Sequence, residues 1–306
     1  MFACGKSFAT QVPVRSPDQQ ILTENKHGVL TITLNRSEGH NALTPNMYEN
    51  FSKALRSAAT DDTVTMAMIT GAGKYFTTGN DLGNWLNPQP GTNSDMSEIS
   101  ELISSLIDFP KPLIGAVNGP AIGIGVTALA LMDTVVASDA AYFQTPFTSL
   151  GLTAEGCSSY TLPKIMGTSL ASDMLLFGRK LTAAEALQCG LVARVIPGAE
   201  FSSWVEKWVF DGTTGLINTC YPKSMQFTKH LLRDNRKVQK LHDVTDRETK
   251  IFVKQVAGNE FKSALTKLRM KHMSALSFRP QFIGPNLCAP SSTPIPSPPI
   301  PSPPIP

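Results

Sequence analysis

The sequence lacks the features that define several classes of protein. Its 306 residues include only five cysteines, an odd number without a C-x-x-C pair, so neither a disulfide framework nor a zinc ribbon is predicted and we expect reduced thiols inside a cell. No run of about 18 apolar residues occurs, so no membrane span is predicted. The net charge is only +3, which argues against a protein that binds polyanions over its whole surface.

The composition is nevertheless that of a folded protein. Hydrophobic residues make up 42% of the chain and charged residues 17%, which is enough material for one large domain or two small ones with a buried core. Collagenous, coiled-coil and wholly disordered structures are excluded by the same composition.

The two ends of the chain differ in composition from the rest. Residues 1–17 contain Lys6 and Arg15 but no acid, which fits a weak organellar presequence and a loose tail equally well. The segment Pro290–Pro306 is proline-rich and repeats Ile-Pro-Ser-Pro-Pro. We expect an extended polyproline II tail there, either a disordered extension, which we favour, or a ligand for an aromatic-groove domain. The last residues are not Ser-Lys-Leu, so no C-terminal peroxisomal address is predicted.

Between residues 26 and 200, short β-rich runs alternate with helical ones. The patterns predict strands over Val29–Leu34, Val64–Thr70 and Pro112–Val117, and helices over Pro45–Ala59, Met96–Ile107, Val126–Met132 and Leu170–Phe177. Thr182 and Glu185 have the spacing of a capping box that opens a further short helix. Gly190 is placed to end that helix before a strand over Leu191–Ile196. This alternation, without a long internal repeat, predicts an α/β protein.

The segment from Tyr221 to His272 is strongly basic and mostly helical in pattern. It carries thirteen Lys and Arg against five Asp and Glu. Three interpretations are open: contact with nucleic acid, a cationic rim that attracts a phosphorylated cofactor, and a solvated helical face. No helix-turn-helix or other nucleic-acid module accompanies the charge, so nucleic acid ranks last and none is expected as a partner.

Two glycine-bearing loops, 76–82 and 118–125, each follow a strand and precede a helix. Glycines at such turns let backbone amides approach a ligand closely, and a helix N-terminus leaves its first N–H groups unpaired. Two such N–H groups that converge would form an oxyanion hole, although glycines there are commonly no more than turns. A dinucleotide fingerprint is a poor alternative, because Ala128 stands where its third glycine would be.

One carboxylate, Glu155, lies among apolar and small residues just ahead of a predicted helix. Partial burial would raise its pKa and suit it to carrying a proton in both directions. Taken alone, Glu155 is more readily interpreted as an acid at a helix start, favoured by the helix dipole.

Several stretches together resemble the enoyl-CoA hydratase/isomerase (crotonase) superfamily over about residues 26–200, with a helical continuation to about 272. These stretches are Asn35-Arg36 with Asn41-Ala42-Leu43, Gly79-Asn80-Asp81-Leu82, Lys111-Pro112-Leu113-Ile114, Val117-Asn118-Gly119-Pro120-Ala121 and Phe143-Gln144-Thr145-Pro146. The residues around Glu155, with Pro163-Lys164-Ile165-Met166, resemble the Δ3,Δ2-enoyl-CoA isomerase 2 branch most closely. Sequences related to that branch include the crotonase-like domains of chromodomain-Y proteins.

The resemblance implies a fold and an assembly. The fold is α/β, a crotonase (ClpP/crotonase-like) spiral of ββα units, with a C-terminal helical region used to form a homotrimer or a dimer of trimers. The implied division is an N-terminal tail over 1–25, a crotonase core over 26–200, a helical region over 201–276 and a disordered proline-rich tail over 277–306. The compartment implied is the peroxisome or the mitochondrion.

The resemblance also implies a site for an acyl-CoA thioester. The thioester oxygen is expected to accept hydrogen bonds from the backbone N–H groups of Asn80 and, by alignment of the loops, Ile124. The residues expected to bind substrate or CoA are Ala42, Leu43, Thr78, Gly79, Asn80, Asp81, Leu82 and Gly123. Hydratases of the family use two glutamates, where this chain has Thr127 and Phe147, so hydration of a double bond is not supported. Neither a metal nor another cofactor is expected.

A single acid, Glu155, remains as the catalytic residue, and a one-base mechanism is the hypothesis that follows. The carboxylate would remove a proton from C2 of a 3-cis- or 3-trans-enoyl-CoA and return it at C4, giving trans-2-enoyl-CoA in the β-oxidation of unsaturated fatty acids. The alternative is a non-catalytic module that binds acyl-CoA or another protein, as kinship with chromodomain-Y-like proteins suggests. Glu155 favours the enzyme, because a pure binder needs no carboxylate there.

Overall fold

The computed structural model describes residues 19–83 and 96–277, so most of the predicted N-terminal tail and the proline-rich segment 278–306 lie outside the described residues. Within the described residues, the chain divides into two units at Lys267. The strands of the described part are β1 (Ile21–Lys26), β2 (Val29–Leu34), β3 (Met66–Gly71), β4 (Leu113–Val117), β5 (Ala121–Ile122), β6 (Thr134–Ser138), β7 (Tyr142–Gln144), β8 (Lys180–Thr182) and β9 (Arg194–Ile196).

The strands form two sheets. The larger sheet has the order β1-β2-β3-β4-β6-β9, in which β1 pairs antiparallel with β2 and every other neighbouring pair is parallel. The smaller sheet has the order β5-β7-β8, with β5 parallel to β7 and β8 antiparallel to β7. Parallel neighbours require crossover connections, and the helices supply them.

The helices of the described part alternate with the strands and then dominate the C-terminal third. They are α1 (Pro45–Thr60), α2 (Ser97–Asp108), α3 (Ile124–Leu129), α4 (Ser158–Met166), α5 (Thr168–Phe177), α6 (Ala183–Gln188), α7 (Phe201–Phe210), α8 (Leu216–Thr219), α9 (Pro222–Leu232), α10 (Asn235–Ala257) and α11 (Asn259–Ser277). None of the helices in the part that the structure describes is both long and apolar enough to cross a membrane.

The central strands of the larger sheet are buried on both faces. Alternate residues of β3 show this: Ala67 and Ile69 belong to one apolar cluster, whereas Met66 and Met68 belong to another. The first cluster includes side chains of α1 and α2, and the second includes side chains of α7. A strand buried on both faces reads as a continuous apolar run, which is why β4 could be predicted from its sequence.

The predicted elements are confirmed, with shifts at their ends. The three strands first predicted lie within two residues of β2, β3 and β4, and the capping box forms, with the Glu185 N–H donating to Thr182 Oγ1 at 3.2 Å. The strand β1 begins at Ile21, so the tail predicted for residues 1–25 is too long at its C-terminal end. Ile21 is buried and pairs with Leu34, an arrangement that local composition does not reveal.

The basic segment forms α9, α10 and the first part of α11, and most of its cations are exposed. Lys229 is an exception, with 6% of its surface exposed. Its Nζ lies 2.7 Å from Asp133 Oδ2 and donates to the Lys111 carbonyl oxygen at 2.7 Å. Burial lowers the pKa of Lys229 to about 8, and Asp133 opposes that effect. This cation therefore fixes α9 to the core rather than facing solvent.

Candidate active site

The two glycine loops lie side by side. The N–H groups of Phe76 and Thr77 donate to the Pro120 carbonyl oxygen at 3.1 and 3.2 Å, and the Ile122 N–H donates to the Thr77 carbonyl oxygen at 3.0 Å. Thr77 also bridges to Ala121 as a parallel pair. Residues about 40 positions apart in sequence are thus joined by main-chain hydrogen bonds, which the spacing alone could not establish.

Two glycines allow this close approach. Gly79 has φ +87°, and a Cβ atom there would lie 2.7 Å from the Ile122 carbonyl oxygen. A Cβ atom on Gly125 would lie 2.4 Å from Thr77 Cγ2. Both distances are shorter than a carbon atom tolerates, so a side chain at either position would push the loops apart.

The amide of Asn80 is left free by the pairing of its neighbours. The Leu43 N–H donates to the Gly79 carbonyl oxygen at 2.8 Å, and the Asp81 N–H donates to the Leu43 carbonyl oxygen at 3.0 Å. In this parallel pairing the N–H of the residue between them points away from Leu43. Within the described residues, the Asn80 N–H has no hydrogen-bond acceptor.

The amide of Ile124 is free for a different reason. Gly123, with φ +58°, turns the chain into α3, so Ile124 is the first residue of that helix. The N–H groups of a first helical turn have no partner within the helix. The helix begins two residues before the predicted start at Val126, and the Ile124 N–H has no acceptor in the part of the chain that the structure describes.

The other residues expected to bind substrate or CoA mostly gather around these loops. The Thr78 N–H donates to the His40 carbonyl oxygen at 3.1 Å, and Arg36 Nη1 donates to the Ala42 carbonyl oxygen at 3.1 Å. The same guanidinium pairs with Asp81 at 2.8 Å, so the Asp81 carboxylate holds the loop. Leu82 is half-buried and lies two residues before the undescribed segment 84–95. Binding by these residues stays a prediction.

Glu155 is buried, with 8% of its surface exposed. Its Oε1 accepts a hydrogen bond from Thr127 Oγ1 at 2.8 Å, and its Oε2 is buried without a partner. Burial raises the pKa of Glu155 to about 8; the bond from Thr127 lowers it and the charge of Glu248 raises it. The expected rise in pKa is confirmed. Neither oxygen of Glu155 accepts an N–H group of α4 in the part of the chain that the structure describes, which argues against the interpretation of Glu155 as merely an acid at that helix start.

Thr127 connects the carboxyl group of Glu155 to the glycine loop. Thr127 lies three residues after Ile124 in α3, a rise of about 4.5 Å along the helix axis. In the sequence, Thr127 stands out only as the absence of a glutamate, because its pairing with Glu155 spans 28 residues. Only the fold brings the two side chains together.

Tyr48 is a second polar side chain that the sequence analysis missed. Its hydroxyl lies on the buried face of α1 and, like Glu155 Oε2, is buried without a partner among the described residues. Burial raises the pKa of Tyr48, and the negative charge of Glu155 adds to that effect. Beside Glu155 is a cavity of about 10 Å³, lined by Met96, Ile99, Ser100, Ile103, Glu155, Gly156, Thr245, Thr249 and Phe252.

Comparison with known proteins gives the family of the chain. The model of the enoyl-CoA hydratase/isomerase family matches residues 24–273. The chain belongs to this family. Its crotonase fold is confirmed by a crystal structure of an enoyl-CoA hydratase/isomerase from Pseudoalteromonas atlantica, which has a TM-score of 0.76, is 33% identical, and covers 83% of this chain and 98% of that one.

Members of the family with related sequences carry isomerase names. Enoyl-CoA delta isomerase 2 of Rattus norvegicus is 46% identical over 232 residues, which are 74% of this chain and 58% of that protein. Enoyl-CoA delta isomerase 3, peroxisomal, of Mus musculus is 40% identical over 275 residues, 89% of this chain and 84% of that protein. The chain thus spans less than two thirds of the rat relative. A human relative named Chromodomain Y-like protein 2 is 36% identical over 236 residues, 45% of its length.

The two positions at which family hydratases were expected to carry glutamates hold no acid in this chain. Thr127 faces Glu155, as described above. Phe147 is buried, and its Cε1 would lie 3.9 Å from a Cβ atom on Gly123, so an apolar ring stands beside the second glycine loop. Within the described residues, no three His, Cys, Asp or Glu side chains form a group that could hold a metal ion. The expectation that no cofactor is required stays a prediction.

Proposed function

We propose that this protein is a Δ3,Δ2-enoyl-CoA isomerase that moves the double bond of a 3-cis- or 3-trans-enoyl-CoA into conjugation with its thioester. One observation carries the proposal: the buried carboxyl group of Glu155 has one oxygen unpaired, and its other oxygen is bonded to Thr127, which lies three residues after the free amide of Ile124 in α3. The names of the rat and mouse relatives support it. Those names describe the relatives, and the activity of this chain is our proposal.

The proposed reaction uses one base and balances as a proton transfer. The carboxylate of Glu155 takes a proton from C2, breaking that C–H bond and forming an O–H bond. The electron pair moves into a dienolate, with the negative charge largely on the thioester oxygen. The same carboxylic acid then gives the proton to C4 as the double bond shifts to C2–C3, and Glu155 is again a carboxylate. A raised pKa makes the ionised group a stronger base for C2 and a proton donor suited to C4.

In this proposal the two free amides stabilise the negative charge that develops during the reaction. The N–H groups of Asn80 and Ile124 would donate to the thioester oxygen, on which the charge develops. Loss of one such donor typically costs about 3 to 4 kcal/mol of transition-state stabilisation, and a positioned acid or base contributes roughly 10²- to 10⁴-fold. Because these donors are backbone groups, replacing the Asn80 side chain should impair the reaction less than replacing the carboxyl group of Glu155.

An assay of the purified protein tests the proposed function. Wild type and Glu155→Gln are incubated with 3-cis-hexenoyl-CoA while formation of 2-enoyl-CoA is followed. We expect the variant to lose roughly 10²- to 10⁴-fold in kcat. Equal rates would contradict the proposal. A parallel assay with crotonyl-CoA should show little addition of water, because the second hydratase acid is replaced by Phe147.

A second candidate function is a module that binds acyl-CoA or a protein without catalysis. The relative named Chromodomain Y-like protein 2 is the observation that favours it. Under this alternative the wild type would bind acyl-CoA but form no 2-enoyl-CoA. The name of the mouse relative supports the peroxisome, rather than the mitochondrion, as the compartment. We propose a role in the β-oxidation of unsaturated fatty acids at that location.

A further inference from the structure

A second buried carboxylate lies close to Glu155 and comes from the C-terminal helical region. Glu248, on α10, has 5% of its surface exposed. Its Oε2 accepts the Cys157 N–H at 2.7 Å, and its Oε1 accepts the Ser159 N–H at 2.9 Å. Cys157 is the N-cap residue of α4, and its own side chain makes no capping hydrogen bond. Glu248 therefore caps α4 from about 90 residues away.

The turn that Glu248 caps is the one that carries Glu155. It contains two successive residues in the left-handed region, Gly156 with φ +63° and Cys157 with φ +64°. A non-glycine residue at positive φ persists only where the surroundings hold it. Helix α10 provides further contacts, because the Cys157 Sγ lies 3.3 Å from the Leu241 carbonyl oxygen and 3.0 Å from Thr245 Oγ1.

We propose that Glu248 is a positioning residue for the reaction, holding the turn that aims Glu155 and placing a second negative charge beside it. The inference rests on the proposed isomerase function and assigns Glu248 no contact with substrate. Glu248 stands at neither of the positions at which family hydratases carry their glutamates. Both oxygens of Glu248 accept a hydrogen bond from an N–H group. An ionised carboxylate can accept at both oxygens, whereas a protonated acid carries a hydrogen on one of them and accepts less well.

Among the charged groups around Glu155, Glu248 is the acid whose charge raises its pKa. Burial and the charge of Glu248 raise the pKa of Glu155. The other titratable groups nearby are Tyr48 on α1 and Cys157 on the same turn, and burial raises the pKa of each. The α2 side chains at the cavity beside Glu155 are uncharged. Burial raises the pKa of Glu248, and the hydrogen bonds from Ser159 and Cys157 and the charge of Arg247 oppose that effect. Arg233, also in the helical region, opposes the effect of burial on Cys157.

The test compares Glu248→Gln with Asp246→Asn, an exposed acid on the same helix. The glutamine keeps the size of the side chain and one acceptor oxygen but removes the charge. We expect its kcat to fall roughly 10- to 100-fold because the carboxyl of Glu155 is displaced. We also expect the acid limb of its kcat/KM profile to move to lower pH, because a like charge has been removed. Asp246→Asn should change neither quantity. A merely structural role would lower activity and leave the acid limb in place.

A measurement that does not depend on enzyme activity distinguishes a failure of this inference from a failure of the proposed function. The titration of the Glu155 carboxyl carbon is followed by ¹³C NMR in protein labelled at glutamate, with Glu155→Gln used to assign the signal. The midpoint should move to lower pH in Glu248→Gln. An unchanged midpoint in a folded variant would overturn the inference even if the wild type is an isomerase. A moved midpoint without isomerase activity would support the charge coupling between Glu248 and Glu155 and would overturn the proposed function and, with it, a role of Glu248 in the reaction.

Glu248→Asp provides the same test if the glutamine variant does not fold. The shorter side chain keeps the charge but cannot reach both amides. We expect faster hydrogen exchange at the N–H groups of Cys157 and Ser159 and a lower kcat, with the Glu155 titration closer to that of the wild type than in Glu248→Gln. Unchanged exchange and unchanged kcat in this variant would contradict a positioning role.

Discussion

The carboxyl group of Glu155 has little contact with water, and this determines how it holds a proton. Its one hydrogen-bond donor in the described structure is Thr127 Oγ1, at 2.8 Å. A hydrogen bond to a carboxylate favours the charged form, and burial in an apolar environment opposes it. Burial is the larger of the two effects, so the pKa of Glu155 lies at about 8. The residue is thus protonated over most of the neutral range and becomes a base as the pH rises.

The substitution Thr127→Val tests the hydrogen bond at this residue. Valine keeps the shape of threonine and removes the hydroxyl, so the pKa of Glu155 should rise further and the acid limb of kcat/KM should move to higher pH. The pH dependence of the rate provides the measurement. Thr161→Val, which removes another buried hydroxyl that donates to the Cys157 carbonyl oxygen, is the matched control and should leave the limb in place. A limb that moves to lower pH in Thr127→Val would contradict this assignment.

Burial of Glu155 should also reduce the stability of the protein. Between pH 4.5 and about 8 the folded state keeps a proton that the unfolded state has lost, so wild-type stability falls as the pH rises through this window. Glu155→Gln does not titrate, and its free energy of unfolding should exceed that of the wild type by an amount that grows to roughly 4 kcal/mol above pH 8. Urea unfolding at pH 5, 7 and 9 measures this difference. A difference that is constant with pH would show that the carboxyl is not buried in solution.

At the scale of elements, the two glycine loops depend on backbone contact between Gly79 and Ile122. Gly79→Ala should destabilise the protein by about 2 kcal/mol or more and impair catalysis, because the new Cβ would meet the Ile122 carbonyl oxygen at 2.7 Å. Gly167→Ala is the control: Gly167 also has a positive φ, +78°, but has no atom within 4 Å of its Cβ position. Thermal unfolding and kcat should separate the two variants. Equal effects would mean that backbone strain alone, without the contact, accounts for the loss.

The elements were predictable to the extent that their signals are local. The strand β4 and the capping box at Thr182 are read from composition and spacing over a few residues, and both are present. The strand β1 was missed because its sequence is polar and its burial pattern depends on pairing with β2. The start of α3 was placed two residues late because Gly123, rather than apolar periodicity, begins that helix.

The site was predictable only in part for the same reason. The family resemblance points to Glu155 and to the glycine loops, whose hydrogen bonds the structure then supplies. Thr127, Tyr48 and Glu248 had no local signal. Thr127 and Glu248 meet the site through hydrogen bonds that span many residues, and Tyr48 is linked to it by the charge of Glu155. The pairing of Glu248 with Cys157 covers 91 positions in sequence. Such pairs follow from the packing of α10 on the core.

At the scale of the whole molecule, the chain has apolar side chains that its own fold does not cover. Phe177 is 79% exposed, Phe227 69% and Leu231 81%. Exposed apolar groups of this size are typical of surfaces that meet another protein. The family resemblance implies a homotrimer, which sedimentation equilibrium would report as a mass of roughly 100 kDa for subunits of this size. A monomer at micromolar concentration would contradict this expectation, and a hexamer would indicate a dimer of trimers.

The central claim is that Glu155 takes a proton from C2 and returns the same proton to C4. The most direct test supplies 3-cis-hexenoyl-CoA with deuterium at C2 and locates the label in the trans-2-enoyl product by NMR early in the reaction. Because Glu155 is buried, return should compete with exchange to solvent, and we predict deuterium at C4 in a substantial fraction of the product. A product that carries only solvent hydrogen at C4, at every stage of conversion, would contradict the account.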